Sequence, residues 1–256
     1  MSFFNKMLAS IGVGGAKVDT KLEKSEYIAG ETIRGQVEVK GGNVQQRIDS
    51  IYLTLYTTYT REMDDTKYTD RAALYTHKLN EPFTIRAKEE KVIPFALTVP
   101  METPLTYGHT RVWIATSLDI KSAPDPTDKD YIEIRPARIP AAVLKEMQGM
   151  GFRLREAECE QAPKRFRGRY PFVQEFEFVP VGGPFAGKLD EVEIIFLSQA
   201  AESANLLIQV DRKARGFGGF LEEMLEMDET YVKITIYSSD LSRLNEKLKS
   251  LIDKHA

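Results

Sequence analysis

Between residues 17 and 135, apolar side chains recur at every second position in short runs. Ile33, Val37 and Val39 form one set, Ile51, Leu53 and Leu55 another, and Ile93, Phe95, Leu97 and Val99 a third. Val112 with Ile114 and Ile132 with Ile134 extend the series. Successive side chains of a strand point to opposite faces, so this period predicts strands with one face buried. Gly30, Gly35, Gly41, Gly42, Pro82, Pro100, Pro104, Gly108 and the turn DPTDKD from Asp125 to Asp130 separate the runs. Glycine and proline at such positions favour turns, and short strands at this spacing predict an antiparallel sandwich.

A second series follows Pro136 and Pro140. A helical patch at 141–150 leads into strands predicted at 152–160, 173–179, 192–197, 206–210 and 231–237. The stretches GQVEVKGGNVQQRIDSIYLTLYT and FEFVPVGGPFAGKLDEVEIIFLS share a layout of strand, glycine turn and strand. The expected architecture is all-β, with two tandem antiparallel sandwiches. Residues 1–135 form the first with a leading helix, 136–237 the second, and 238–256 a C-terminal amphipathic helix.

Two helical stripes stand out from the strand pattern. Phe3, Phe4, Met7, Leu8 and Ile11 fall on one face behind Ser2, and Leu241, Leu244, Leu248, Leu251 and Ile252 do the same behind Ser239 and Asp240. A third short amphipathic turn follows the glycines of GFGGFLEEMLEMDE at 216–229. Helices this short are marginal alone in water, so each stripe calls for a cover. For the C-terminal stripe that is a sandwich of the same chain or a second copy, which would make a homodimer. For the N-terminal stripe it is the first sandwich, a partner protein or lipid. Lys6 is the one basic residue on its polar side, fewer than interfacial membrane helices carry.

Composition narrows the class. The 256 residues are 42% hydrophobic and 29% charged, enough to build cores without a metal or disulfide staple. Cys159 is the lone cysteine, which excludes an internal disulfide and a multi-thiolate zinc site and fits a reducing compartment. The opening MSFFNKMLASIGVGG lacks the charge, apolar run and cleavage site of a signal peptide, and no run reaches the roughly 18 apolar residues of a membrane span. The expected location is the cytoplasm. A net charge of -3 argues against nucleic acid as a partner.

Candidate chemistry is sparse. His77, His109 and His255 are isolated in sequence from one another and from Cys159, whereas metal binding or nucleophilic catalysis needs several groups converging. No nucleophile elbow, zinc-protease helix motif or phosphate loop occurs. Asp125, Asp128 and Asp130 lack the late bidentate acid of a calcium loop and read as aspartates bonded to their own turn. The acidic run at 62–70 reads as a solvated hairpin end. KRFRGRY is the densest positive cluster, with Arg165, Arg167 and Arg169 interleaved with aromatic residues. No catalytic, cofactor or metal residue is assigned, and no cofactor is expected. The candidate partner-binding residues are Phe3, Phe4, Met7, Leu8 and Ile11, then Arg165, Arg167 and Arg169, then Leu241, Leu244, Leu248 and Leu251.

Four segments carry a family resemblance: LEKSEYIAGETIRGQVEVKGG, IDSIYLTLYTTYT, EPFTIRAKEEKVIPFALTVPMETPLTY and RVWIATSLDI. Their pattern of Tyr27, Gly30, Glu31, Ile33 and Gly35, then Pro94, Phe95, Val99, Pro100 and Pro104, then Arg111, Trp113, Asp119 and Ile120 resembles the N-domain of arrestin-like proteins. With MSFFNKMLASIGVGGAKVDT and ARGFGGFLEEMLEMDE, the whole chain resembles the bacterial sporulation-control proteins of that superfamily. The resemblance implies two tandem sandwiches and a cytoplasmic regulator of the decision to sporulate, acting through contacts with regulatory proteins and not through catalysis. It names no partner. No acid or arginine aligns with the arrestin polar core, and no Pro-Pro-x-Tyr motif occurs, so neither phosphate sensing nor ligase recruitment is carried over. The alternatives are a membrane-surface sensor using the N-terminal helix and an enzyme with an unrecognised site.

Overall fold

A computed structural model of the chain describes residues 14–64, 66–79, 81–120, 125–162, 168–211 and 231–256. The N-terminal stripe and residues 163–167 and 216–229 lie outside them, and with them Phe3, Phe4, Met7, Leu8, Ile11, Arg165 and Arg167. The chain divides into two compact units. Unit 1 takes Met1–Thr57, Ala73–Pro100 and Arg111–Ile134; unit 2 takes Thr58–Ala72, Met101–Thr110 and Arg135–Ala256. The last crossing falls between Ile134 and Arg135, and Thr58–Ala72 and Met101–Thr110 belong to unit 2.

Unit 1 holds two sheets. One is three-stranded and antiparallel, with β3 (Thr32–Lys40) between β1 (Lys17–Leu22) and β7 (Glu90–Thr98). The other pairs β4 (Gln46–Met63) with β8 (Val112–Ile120), β8 with β9 (Thr127–Arg135), and β9 with β2 (Glu26–Ile28). β5 (Thr66–Lys78) and β6 (Phe83–Ile85) also pair with β4. The alternating positions fill the space between the sheets: Ile33, Val37, Ile51, Leu53, Ile114 and Leu118 are all inaccessible to solvent. Between those sheets the hydroxyls of Thr20 and Thr116 meet at 2.6 Å.

The motif around Tyr27 has a local explanation. Tyr27 is buried, Gly30 takes φ +90°, and Glu31 closes the turn by donating its N–H to Ile28 O at 2.9 Å. The Glu31 carboxylate accepts from Ile28 N at 3.0 Å and from Lys24 Nζ at 2.5 Å. A left-handed φ favours glycine, which fixes Gly30. Gly35 faces Phe95 across the β3–β7 pair, where a Cβ would come within 2.9 Å of the ring.

Trp113 is 6% exposed, but on the face of β8 opposite Ile114. There Tyr56 and Tyr131 are its cross-strand partners, with ring centroids at 5.6 and 6.0 Å, and Lys129 Nζ caps the indole at 4.2 Å. Aromatic neighbours and a cation bury it outside the apolar interior.

Unit 2 is built on five antiparallel strands, β10 (Phe152–Gln161), β11 (Phe172–Pro180), β12 (Glu191–Ala200), β13 (Ser203–Asp211) and β14 (Tyr231–Tyr237). All five match strands expected from the pattern. Helix α1 (Arg138–Gly149) carries Ile139, Val143 and Met147 on one buried stripe and packs on β10 and β13. It starts earlier than the patch at 141–150, because Pro140 sits in the first turn, where its missing N–H costs nothing. A 3-10 turn (Ser238–Arg243) then leads into helix α2 (Leu244–His255). The two halves of the sequence repeat pair differently: β3 and β4 lie in separate sheets, whereas β11 and β12 are hydrogen-bonded neighbours.

Candidate interaction site

Of the residues singled out for partner binding, α2 uses its stripe within unit 2. Leu244 and Leu248 are 1% and 0% exposed, and α1 packs beside α2, where Asn245 Nδ2 donates to Glu146 Oε2 at 2.8 Å. Leu241 and Leu251 remain half-buried. The cover of the stripe is therefore its own unit. Cys159 is buried, and burial pushes its thiol up to about 12, which makes it an inert core residue.

The aspartate turn departs from expectation. Asp125 does bond locally, accepting from Ile120 N at 3.1 Å. Asp128 and Asp130 belong to β9 instead, and Asp128 Oδ2 accepts from Thr20 N of β1 at 2.7 Å. Burial, then the neighbouring Asp128, pushes the Asp130 carboxyl up to about 6. At the hairpin end, residues 62–64 and 66–69 are exposed, and Arg61 donates to half-buried Asp70 at 2.8 Å.

Arg169 is exposed, and with Glu102 it lines a groove of about 190 Å³ within unit 2. The segment Met101–Thr110 forms one wall, and Gln174 of β11 holds it there. Leu105 N donates to Gln174 Oε1, and Gln174 Nε2 donates to Leu105 O, both at 2.7 Å. A carboxamide has the same donor and acceptor as a peptide group, so Gln174 acts as a strand neighbour for a loop that has none. The floor is aromatic: Phe176 and Phe196 meet edge to face at 5.7 Å, and Tyr170 stacks on Phe172 at 5.6 Å. Two polar atoms lining this apolar space have no hydrogen-bond partner, Thr103 Oγ1 and Gln199 Oε1, and Thr103 is 1% exposed. Buried polar groups are normally satisfied, and Tyr27 Oη and Gln209 Oε1 are among the other described atoms in this state.

A second cluster escaped the sequence reading. Glu156 lies opposite Glu177, Glu158 opposite Glu175, and Glu177 opposite Glu193 on adjacent strands, so one face of the sheet collects carboxylates. The register shifts between Leu154 and Glu156, and Arg155 there forms ion pairs with Glu177 and, at 2.6 Å, with Glu191. A bulge of this kind re-aims a side chain. Burial, reinforced by neighbouring carboxylates, raises the Glu175 and Glu193 carboxyls well above the usual range, and Glu193 donates to Glu175. Burial and like charge thus favour the protonated form of the pair. Among the described residues no group of three or more His, Cys, Asp or Glu side chains has a geometry that could hold a metal ion. The signal was the alternation of Glu156, Glu158 and Glu160, of Glu175 and Glu177, and of Glu191 and Glu193. Period 2 shows that each set shares a face, but not that the sets meet.

A model of the Spo0M family, described as SpoOM protein, matches residues 4–214. The chain belongs to the Spo0M family. The sporulation-control protein Spo0M of Bacillus subtilis is 43% identical over 259 residues, covering 100% of both chains. A crystal structure of Spo0M from Bacillus subtilis superposes with a TM-score of 0.87 at 41% identity, over 95% of this chain and 100% of that one. A CARDB domain from Pyrococcus furiosus gives a TM-score of 0.29 at 16% identity, over 47% of this chain and 87% of that one. The Spo0M fold thus accounts for both β-rich units. No described helix is long and apolar enough to cross a membrane.

Proposed function

We propose that this chain is a cytoplasmic adaptor that regulates sporulation through protein contacts and not through catalysis. The observation that carries this reading is the end-to-end match to a sporulation-control protein at 43% identity. The groove beside Arg169 supports the contact-based part, because its apolar floor and unpaired polar atoms suit recognition. The test is complementation. Expressed in Bacillus subtilis lacking its own Spo0M, the chain restores the wild-type yield of heat-resistant spores. A yield that stays at the level of the deletion strain, with the protein present and folded, would refute the regulatory role.

A further inference from the structure

Strand β9 turns the even-numbered positions of its run inward: Ile132 and Ile134 are buried, and Asp128 and Asp130 continue the same face between the two sheets of unit 1. There Asp128 Oδ2 accepts from Thr20 N of β1 at 2.7 Å, and the Thr20 hydroxyl meets that of Thr116 on β8 at 2.6 Å. Thr20 is thus a point at which an edge strand of the three-stranded sheet is fastened to the other sheet. We propose that Asp128 and Asp130 form a proton-operated latch, which holds β1 on the second sheet while the pair keeps one shared proton and lets β1 lift at Thr20 when that proton leaves. The latch goes beyond the adaptor reading and does not depend on it.

The side chains of Asp128 and Asp130 are hydrogen-bonded to each other, and ionised carboxylates only accept, so that bond needs a proton on one of them. Asp130 Oδ2 is buried with no hydrogen-bond partner. On β8 the residue opposite Asp130 is Ile114 and the one opposite Asp128 is Thr116, both uncharged. The charged groups that act on Asp130 are Asp128 on its own strand and Asp19 on β1, both acids. Lys129 lies on the other face of β9, over the rings of Trp113 and Tyr131. Once ionised, Asp130 therefore meets like charge and no donor, and it gains water when the Thr20 end of β1 moves off β9. The latched form holds the proton more tightly than the lifted form, in which the carboxyl returns towards its ordinary value. Lifting is therefore favoured progressively as pH rises from 3.8 to about 6, and not further above it.

The test is amide exchange and carboxyl titration by NMR on the full-length protein between pH 4 and pH 8. Protection of the Thr20 amide, taken against its intrinsic rate at each pH, falls about tenfold per pH unit up to about pH 6 and is level above it. The Asp130 carboxyl carbon and the Thr20 amide shift with one midpoint. Val37, which faces Thr20 across the β1–β3 pair, stays more strongly protected throughout, because β1 lifts without unfolding the unit. Asp130→Asn keeps a donor for Asp128 but does not titrate, so Thr20 protection loses its slope. Thr116→Val removes the hydroxyl contact and lowers Thr20 protection at every pH with the slope retained. The proposal fails if the Asp130 carboxyl titrates in the ordinary range near 4, or if Thr20 protection stays level through that titration. It fails also if Val37 loses protection equally with Thr20, which makes the opening global, or if Asp130→Asn keeps the parent slope. All but the last of these readings need only the parent protein, so they decide even where a variant does not fold.

Discussion

Glu193 holds its proton against the solvent because burial penalises its charged form and Glu175 and Glu191 add like charge beside it. The folded chain therefore binds this proton more tightly than the unfolded chain does. Stability from such a group is fully present below its ordinary value of 4.5 and is lost as pH rises through the raised folded value. Over that window the unfolding free energy falls by up to about 1.4 kcal/mol per pH unit for one retained proton. Asp130 works in the same sense over a lower window, between its ordinary 3.8 and about 6. Glu193→Gln keeps a donor for Glu175 while removing the titration, so it flattens the slope above pH 6 and raises stability at pH 8. Asp130→Asn flattens only the acid part. Urea unfolding from pH 4 to pH 9 reads both, and a parent protein that gains stability steadily up to pH 9 would contradict the burial of the glutamate pair.

At the scale of the element, the stripe on α2 is the feature most exposed to test. Leu248 is wholly buried against its own unit, so Leu248→Ala costs about 3 kcal/mol, whereas half-buried Leu251 costs about 1 kcal/mol on the same change. Urea midpoints at fixed pH separate them, and equal effects would mean that the stripe is not covered within the chain. The stripe and the strands were legible because 3.6 and 2 are properties of the local chain. Ile33, Leu53 and Ile114 were placed correctly from alternation alone. What alternation cannot carry is pairing. The two similar stretches became strands of separate sheets in one unit and neighbours in the other. Asp128 found its donor on β1, 108 positions away, and Trp113 was buried by rings from β4 and β9 on the face away from the interior. The groove was legible only through Arg169. Thr103, Gln174 and Gln199 have no signature in sequence, since their meaning lies in a loop and a strand brought together by a side-chain amide.

For the whole molecule, the path of the chain decides how the two units respond to stress. Each unit is assembled from three stretches, so the chain passes between them five times, and three of these passages fall inside strands β4, β5 and β9. These strands contribute residues to both units, so unfolding one unit removes strand pairing that the other also uses. The expected outcome is a single cooperative unfolding transition. Trp113 is the sole tryptophan and belongs to unit 1, so its fluorescence reports that unit, whereas far-UV circular dichroism reports both. Native emission is blue-shifted, because the indole is 6% exposed, and it moves red on unfolding with the same urea midpoint as the dichroism. Two separated midpoints would show that the units unfold independently despite the shared strands.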